Sequence, residues 1–286
     1  MSDDKCQVRG VRLEPFSERA QTNFPASQGI ITSFMPMRAG IEVAGLSDLG
    51  CQRQNNEDSY SYWEPASEAE FAQKGRLAIV ADGMGGHEGG QEASRLAVEA
   101  IQETYAASTA ADPQSMLSAG FVEAHRRIQD YAMAHPQLRG MGTTATAAAI
   151  VDSRLYYAHV GDSRLYRINK DGLTRLTHDH SYVGRLVESG VITPEEAEVH
   201  PQRNILTAAL GAGVEIAVEA PEAPVLVNPG DSLLLCTDGL WGQVSDFEIQ
   251  QAVRSNPPAT ACRALVNLAR ERGGPDNITV QILRVD

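Results

Sequence analysis

The chain has 286 residues, and 37 acidic against 24 basic residues leave a net charge of −13 at pH 7. With 42% hydrophobic and 21% charged residues, the composition suits a globular protein with a sizeable core. So acidic a chain is not expected to bind nucleic acid, where Lys and Arg must neutralise phosphates, and three lysines (Lys5, Lys74, Lys170) make no polybasic membrane patch.

The N-terminus carries Asp3 and Asp4 and no basic cluster ahead of an apolar stretch, so no secretion signal is expected. Residues 1–39 show no sustained period and are broken by Pro15, Pro25 and Pro36. They read as a tail or arm, with a single folded domain over 40–286. The four cysteines (Cys6, Cys51, Cys236, Cys262) have no C-x-x-C spacing, so neither a zinc knuckle nor a disulfide framework is indicated. A cytoplasmic location follows as the expectation.

From Ile41 the pattern is organised. Ser59 to Trp63 alternates, and Leu77 to Ala81 is a continuous apolar run, a buried strand. Gly90 to Ala106 is predicted helical, with Ala93, Leu96, Ala97, Ala100, Ile101 and Tyr105 on one face. Pro113 to Met133 is a second helix of the same kind. Strands follow at Ala145 to Val151, Arg154 to Val160 and Arg164 to Asn169, with Asp171-Gly172 as a hairpin turn into Leu173 to Leu176. Leu233 to Cys236 is a further buried strand. Ser245 with Glu248 forms a capping box, a helix runs from about Ala259 to near Gly273, and Ile278 to Leu283 closes as a strand. No helix longer than a core helix and no apolar run approaching the roughly 18 residues of a membrane span is present. Clustered strands with paired helices predict an α+β, four-layer sandwich: two central antiparallel sheets flanked by helix pairs.

The aspartates carry the chemistry. Asp82 follows the run LAIVA, Asp238 follows LLLCT, Asp276 precedes ITVQIL, Glu57 and Asp58 precede SYSYW, and Asp162 stands between two strands. Each is expected where a strand meets a loop, so that carboxylates from several strands can converge. Such a cluster repels itself unless cations fill it, and all-oxygen donors favour Mg²⁺ or Mn²⁺ over Zn²⁺. Glycines after Asp82 and Asp238 allow close backbone approach. Asp-Gly is also an ordinary turn sequence, and spacing alone leaves both readings open.

Six segments stand in order: Arg-Gln-Asn-Asn-Glu-Asp (53–58), Ala-Asp-Gly-Met-Gly-Gly-His (81–87), Gly-Thr-Thr-Ala (142–145), His-Val-Gly-Asp-Ser-Arg (159–164), Cys-Thr-Asp-Gly-Leu-Trp (236–241) and Gly-Pro-Asp-Asn-Ile-Thr (274–279). Together they resemble the metal-dependent Ser/Thr protein phosphatases of type 2C, the PPM family, over about 240 residues from Ile41 onward. The resemblance implies two Mn²⁺ or Mg²⁺ ions at one end of the sandwich. By that pattern Asp82 bridges them, the Gly83 carbonyl joins one, and Asp238 and Asp276 hold the other. Glu57 and Asp58 bind directly or through water, Asp162 matches a third, weaker metal position, and Arg53 clamps the substrate phosphate. The implied reaction is one-step hydrolysis of phosphoserine or phosphothreonine by a hydroxide the metals hold. Asp82, Asp238 and Arg53 are its catalytic residues. The partners implied are phosphorylated proteins and a Ser/Thr kinase that the enzyme opposes, with a monomer as the family's usual state.

Met84 departs from the pattern of animal members, which have a histidine there as proposed general acid; bacterial members often read Asp-Gly-Met-Gly-Gly-His as here. A water at the metals is then the preferred proton donor, with His87 the other candidate beside a structural role in packing the glycine loop. Residues 178–203 resemble the family's variable flap, with Thr193-Pro194-Glu195-Glu196 as a capped helix start. In that flap His178 and His180 share a face if extended, so a metal pair stands beside plain packing. Cys6 to Arg12 fits Cys-x5-Arg but lies in the unpatterned tail. The rival of another class is a pseudophosphatase, a binding module without catalysis; it would have lost a core carboxylate, and none is lost here.

Overall fold

The structure, a computed structural model, describes residues 40–85 and 88–286. The predicted N-terminal arm, the Cys6 to Arg12 segment and His87 lie outside the described residues.

In chain order the elements are β1 (Ile41–Asp48), β2 (Asp58–Trp63), α1 (Glu68–Lys74), β3 (Arg76–Met84), α2 (Glu88–Ala107), α3 (Pro113–Ala134), β4 (Gly142–Thr143), β5 (Ala145–Val151), β6 (Arg154–Val160), β7 (Arg164–Asn169) and β8 (Gly172–Arg175). There follow α4 (Tyr182–Glu188), α5 (Pro194–Glu198), β9 (Val225–Leu226), β10 (Ser232–Cys236), α6 (Asp238–Trp241), α7 (Asp246–Ser255), α8 (Pro258–Glu271) and β11 (Ile278–Val285). They form two antiparallel sheets, ordered β1-β11-β10-β7-β8 and β2-β3-β5-β6-β9.

The strands that read as continuous apolar runs are buried on both faces, and successive residues serve different layers. In β3, Ala78 and Val80 point between the sheets, while Leu77, Ile79 and Ala81 pack against α2 and α3. In β10, Leu233 and Leu235 meet the opposite sheet, while Leu234 and Cys236 face α7 and α8. The result is the expected four layers, helix pair, sheet, sheet and helix pair. Cys236 is completely buried, and burial pushes its thiol up, as a core thiol requires.

Three details differ from expectation. β3 does not stop at Ala81 but runs through Asp82 and Gly83, because Gly83 and Met84 pair with Thr143 and Gly142 of β4. The β7–β8 turn is built on Lys170-Asp171, with the Asn169 carboxamide accepting from the N–H groups of Asp171 and Gly172. The short helices α1, α4 and α6 carry no long apolar period, so they escape a reading based on periodicity. The capping boxes at Thr193 and Ser245 are both formed. Among the described residues no helix is long and apolar enough to cross a membrane.

Candidate metal centre

One end of the sandwich gathers the acidic residues by strand register. Asp58 opens β2 directly opposite Asp82 in β3. Asp238 opens α6 just beyond β10, Asp276 precedes β11, and Asp162 lies in the β6–β7 connection. Asp82, Gly83, Asp162, Asp238 and Asp276 line one cleft of about 680 Å³, with Arg53, Glu57, Met84 and Thr144 also on its wall.

The glycines after two of the aspartates permit this closeness. A Cβ on Gly83 would lie 2.0 Å from the Gly90 carbonyl oxygen, and one on Gly239 would lie 1.9 Å from that of Asn277. Side chains then tie the loops down. Thr237 and Thr279 hydroxyls donate to Asp58 Oδ2 at 2.9 and 2.6 Å. The Asn277 carboxamide accepts from the Glu57 N–H at 2.8 Å and donates to the carbonyls of Leu49 and Asn55. Thr144 Oγ1 accepts from the Asp82 N–H at 3.0 Å and meets Ser163 Oγ at 2.7 Å. None of these positioning residues was singled out in the sequence, although all lie within the six motifs. Thr and Asn in and beside strands read there as ordinary strand and turn formers.

The electrostatics suit a site for cations. Burial, outweighing the two threonine hydrogen bonds, lifts the Asp58 carboxyl to about 7. Burial and then the charge of Asp276 lift Asp238 to about 6. Asp82 and Asp162 are raised by burial and then by the neighbouring aspartates. Asp58 Oδ1 and Asp238 Oδ1 are buried with no hydrogen-bond partner, a costly state for a carboxylate oxygen. All the side-chain donors facing the cleft from the acidic residues are oxygen, the choice of hard cations such as Mg²⁺ and Mn²⁺. The residues therefore fit a metal centre.

A pH dependence follows for the metal-free protein. Asp58 and Asp238 bind protons more tightly folded than unfolded, so their contribution favours folding at low pH and is lost as pH rises from about 4 through about 7. The metal-free melting temperature is expected to be higher at pH 5 than at pH 8, with Mn²⁺ reversing the order by displacing those protons. Thermal melts in chelator that stay flat across that range would contradict it.

Arg53 Nη2 donates to Asp276 Oδ2 at 2.7 Å, with the guanidinium about half exposed at 48%. It sits beside the cluster but is paired with one of its carboxylates. Met84 is on the wall, and no histidine is among the described residues lining the cleft.

His178 and His180 converge on Glu219 instead. His178 Nδ1 lies 2.9 Å from Glu219 Oε1, and His180 Nε2 lies 3.4 Å from Oε2. Burial opposes ionisation of Glu219, but these two imidazoles pull its carboxyl down to about 2. His180, His159 and Glu219 approach closely enough to suggest a metal, yet the lone pairs are spent. The Gly161 N–H donates to His180 Nδ1 at 3.2 Å, so the proton sits on Nε2 facing Glu219. His159 Nε2 faces the carbonyls of Gly161 and His178, so it too carries a proton, while Thr146 Oγ1 occupies Nδ1. The cluster is a hydrogen-bonded tie at the base of segment 178–203.

Known proteins share this fold and this set of motifs. A family profile described as Protein phosphatase 2C matches residues 52–273. The protein phosphatase PhpP of Streptococcus pneumoniae is 38% identical over 256 residues, covering 86% of this chain and 98% of its own. The serine/threonine protein phosphatase PstP of Mycobacterium tuberculosis is 39% identical over 246 residues, covering 86% of this chain and 45% of its own. Among solved structures, the S. agalactiae serine/threonine phosphatase superposes with a TM-score of 0.78 at 33% identity, covering 86% of this chain and all of its own. The PstP catalytic domain in complex with two manganese ions superposes with a TM-score of 0.73 at 36% identity, covering 86% of this chain and 99% of its own. The chain belongs to the protein phosphatase 2C family, the metal-dependent serine/threonine protein phosphatases.

Proposed function

We propose that the acidic cleft is the binuclear centre at which this chain hydrolyses phosphoserine and phosphothreonine in proteins. Asp82, the Gly83 carbonyl, Asp238 and Asp276 would hold two Mn²⁺ or Mg²⁺ ions. Glu57 and Asp58 would complete the set directly or through water, and Asp162 with Asp238 would offer a third, weaker position. The observation that carries this reading is the pair of buried, partnerless oxygens on Asp58 and Asp238 among carboxylates of raised pKa.

When bound, the ions supply a nucleophilic hydroxide at neutral pH and offset charge on the phosphoryl oxygens. The chain's own residues position and clamp. Thr237 and Thr279 orient Asp58, Asn277 fixes the loop that carries Glu57, and Thr144 fixes Asp82. Arg53 must leave Asp276 to meet the phosphate, and its planar fork can do so bidentately. The Met84 thioether has no proton to give, so the leaving alkoxide takes its proton from water.

The reading extends to a cytoplasmic, monomeric enzyme, with residues 40–286 as the catalytic domain, that opposes a Ser/Thr kinase. Support comes from relatives named as serine/threonine phosphatases and from Cys236 and Cys262, buried as thiols. A pseudophosphatase would be marked by loss of a core carboxylate, and Glu57, Asp58, Asp82, Asp162, Asp238 and Asp276 are all present. With Mn²⁺ supplied, phosphate release is expected from phosphothreonine and phosphoserine peptides and far more slowly from a phosphotyrosine peptide. Preference for a small phosphorylated metabolite over every peptide would overturn the protein-substrate reading.

A further inference from the structure

Asp162 and Asp238 come from different parts of the chain, one from the β6–β7 connection and one from the start of α6, yet both reach the same cleft. Three residues after Asp238, on the same short helix, stands Trp241. Its indole Nε1–H donates to the Asp162 carbonyl at 2.9 Å. Residues three apart lie on one face of a helix, so this bond ties the Asp162 backbone to the side of α6 that carries Asp238.

The indole is itself held from behind. The Arg164 guanidinium lies 3.6 Å from the Trp241 ring centre, a cation–π contact of good geometry. Every branch of that guanidinium is committed. Nε and Nη2 donate to Asp179 at 3.0 and 2.6 Å, and Nη1 donates to Tyr166 Oη at 3.1 Å. Arg164 and Asp179 side chains are only 15% and 13% exposed, so the pair is largely withdrawn from water. Burying an ion pair seldom adds net stability, but a bidentate pair holds a plane in one orientation. Here the plane it holds lies against the indole.

We propose that Trp241 is a positioning residue: its N–H sets the placement of Asp162 relative to Asp238, and Arg164, clamped by Asp179, locks the indole for that purpose. Nothing in this requires Trp241 to touch substrate or metal. The proposal rests on the reading of the cleft as a metal centre, with Asp162 and Asp238 serving its weakest position. Loss of the N–H should therefore weaken that position alone and leave phosphate capture by Arg53 unchanged.

Trp241→Phe keeps an aromatic face for Arg164 and removes the donor. Calorimetric titration of the full chain with Mn²⁺ is the test, with wild type and Asp238→Ala alongside. The expected result is an affinity at the weakest Mn²⁺ site lower by about 3- to 10-fold, the worth of one net hydrogen bond. The tighter sites and the KM for a phosphothreonine peptide are expected to be unchanged. Arg164→Lys, which keeps the charge but loses the fork and the flat face, should shift the same site in the same direction. A Trp241→Phe protein that melts lower but binds Mn²⁺ as wild type does would overturn the proposal and leave the indole a purely structural group. If wild type itself binds no Mn²⁺, the metal-centre reading fails and the proposal falls with it.

Discussion

Asp238→Ala is expected to lower turnover about 10³-fold or more while the folded domain persists. The carboxylate is lifted to about 6 by burial and by Asp276, and its Oδ1 has no partner. Removing it deletes a proposed metal donor and also relieves repulsion among the remaining carboxylates. The variant should therefore melt at or above the wild-type temperature in chelator at pH 8, and gain little from Mn²⁺. Steady-state phosphate release and circular-dichroism melts measure both effects. Wild-type-like hydrolysis by this variant would contradict the ligand assignment, and collapse of the fold would show a structural role that its contacts do not indicate.

Arg53→Ala is expected to raise KM about 10- to 100-fold, as suits a charge-assisted, two-point contact with phosphate, with a smaller fall in kcat. Its present partner, Asp276, lies near the surface, and Arg53 is about half exposed, so stability should change by less than about 1 kcal/mol. Arg53→Lys should recover only part of the loss, because an ammonium lacks the planar fork. The kinetics are read as KM against kcat on a phosphothreonine peptide. An unchanged KM would remove Arg53 from substrate binding and leave it as a counter-charge to Asp276.

How much of this was legible before the structure differs by kind of residue. The long strands and helices were, because LAIVA, ATAAAIV and SLLLC are strands buried on both faces and α2, α3 and α8 carry clear apolar stripes. The carboxylates were legible as a set only through the six motifs, since each Asp-Gly alone reads equally as an ordinary turn. The end of β3 was not. Whether Asp82 lies in a strand depends on pairing of Gly83 and Met84 with a two-residue strand nearly 60 positions further along. Nor were Thr237, Thr279, Thr144 and Asn277 visible as a supporting shell, because a hydroxyl or amide reveals its role only through the partner it reaches. Spacing alone allowed His178 and His180 either a metal or plain packing. The distant Glu219 and the Gly161 N–H decide between them.

Phosphate release from a phosphothreonine peptide, followed with added Mn²⁺ and then with excess chelator, tests the central claim most directly. Release that depends on the metal, stops with chelator and is absent in Asp238→Ala is the expected result. Release that persists at the same rate in chelator would contradict the account, because the carboxylates would then be doing their chemistry without the ions they are arranged to hold.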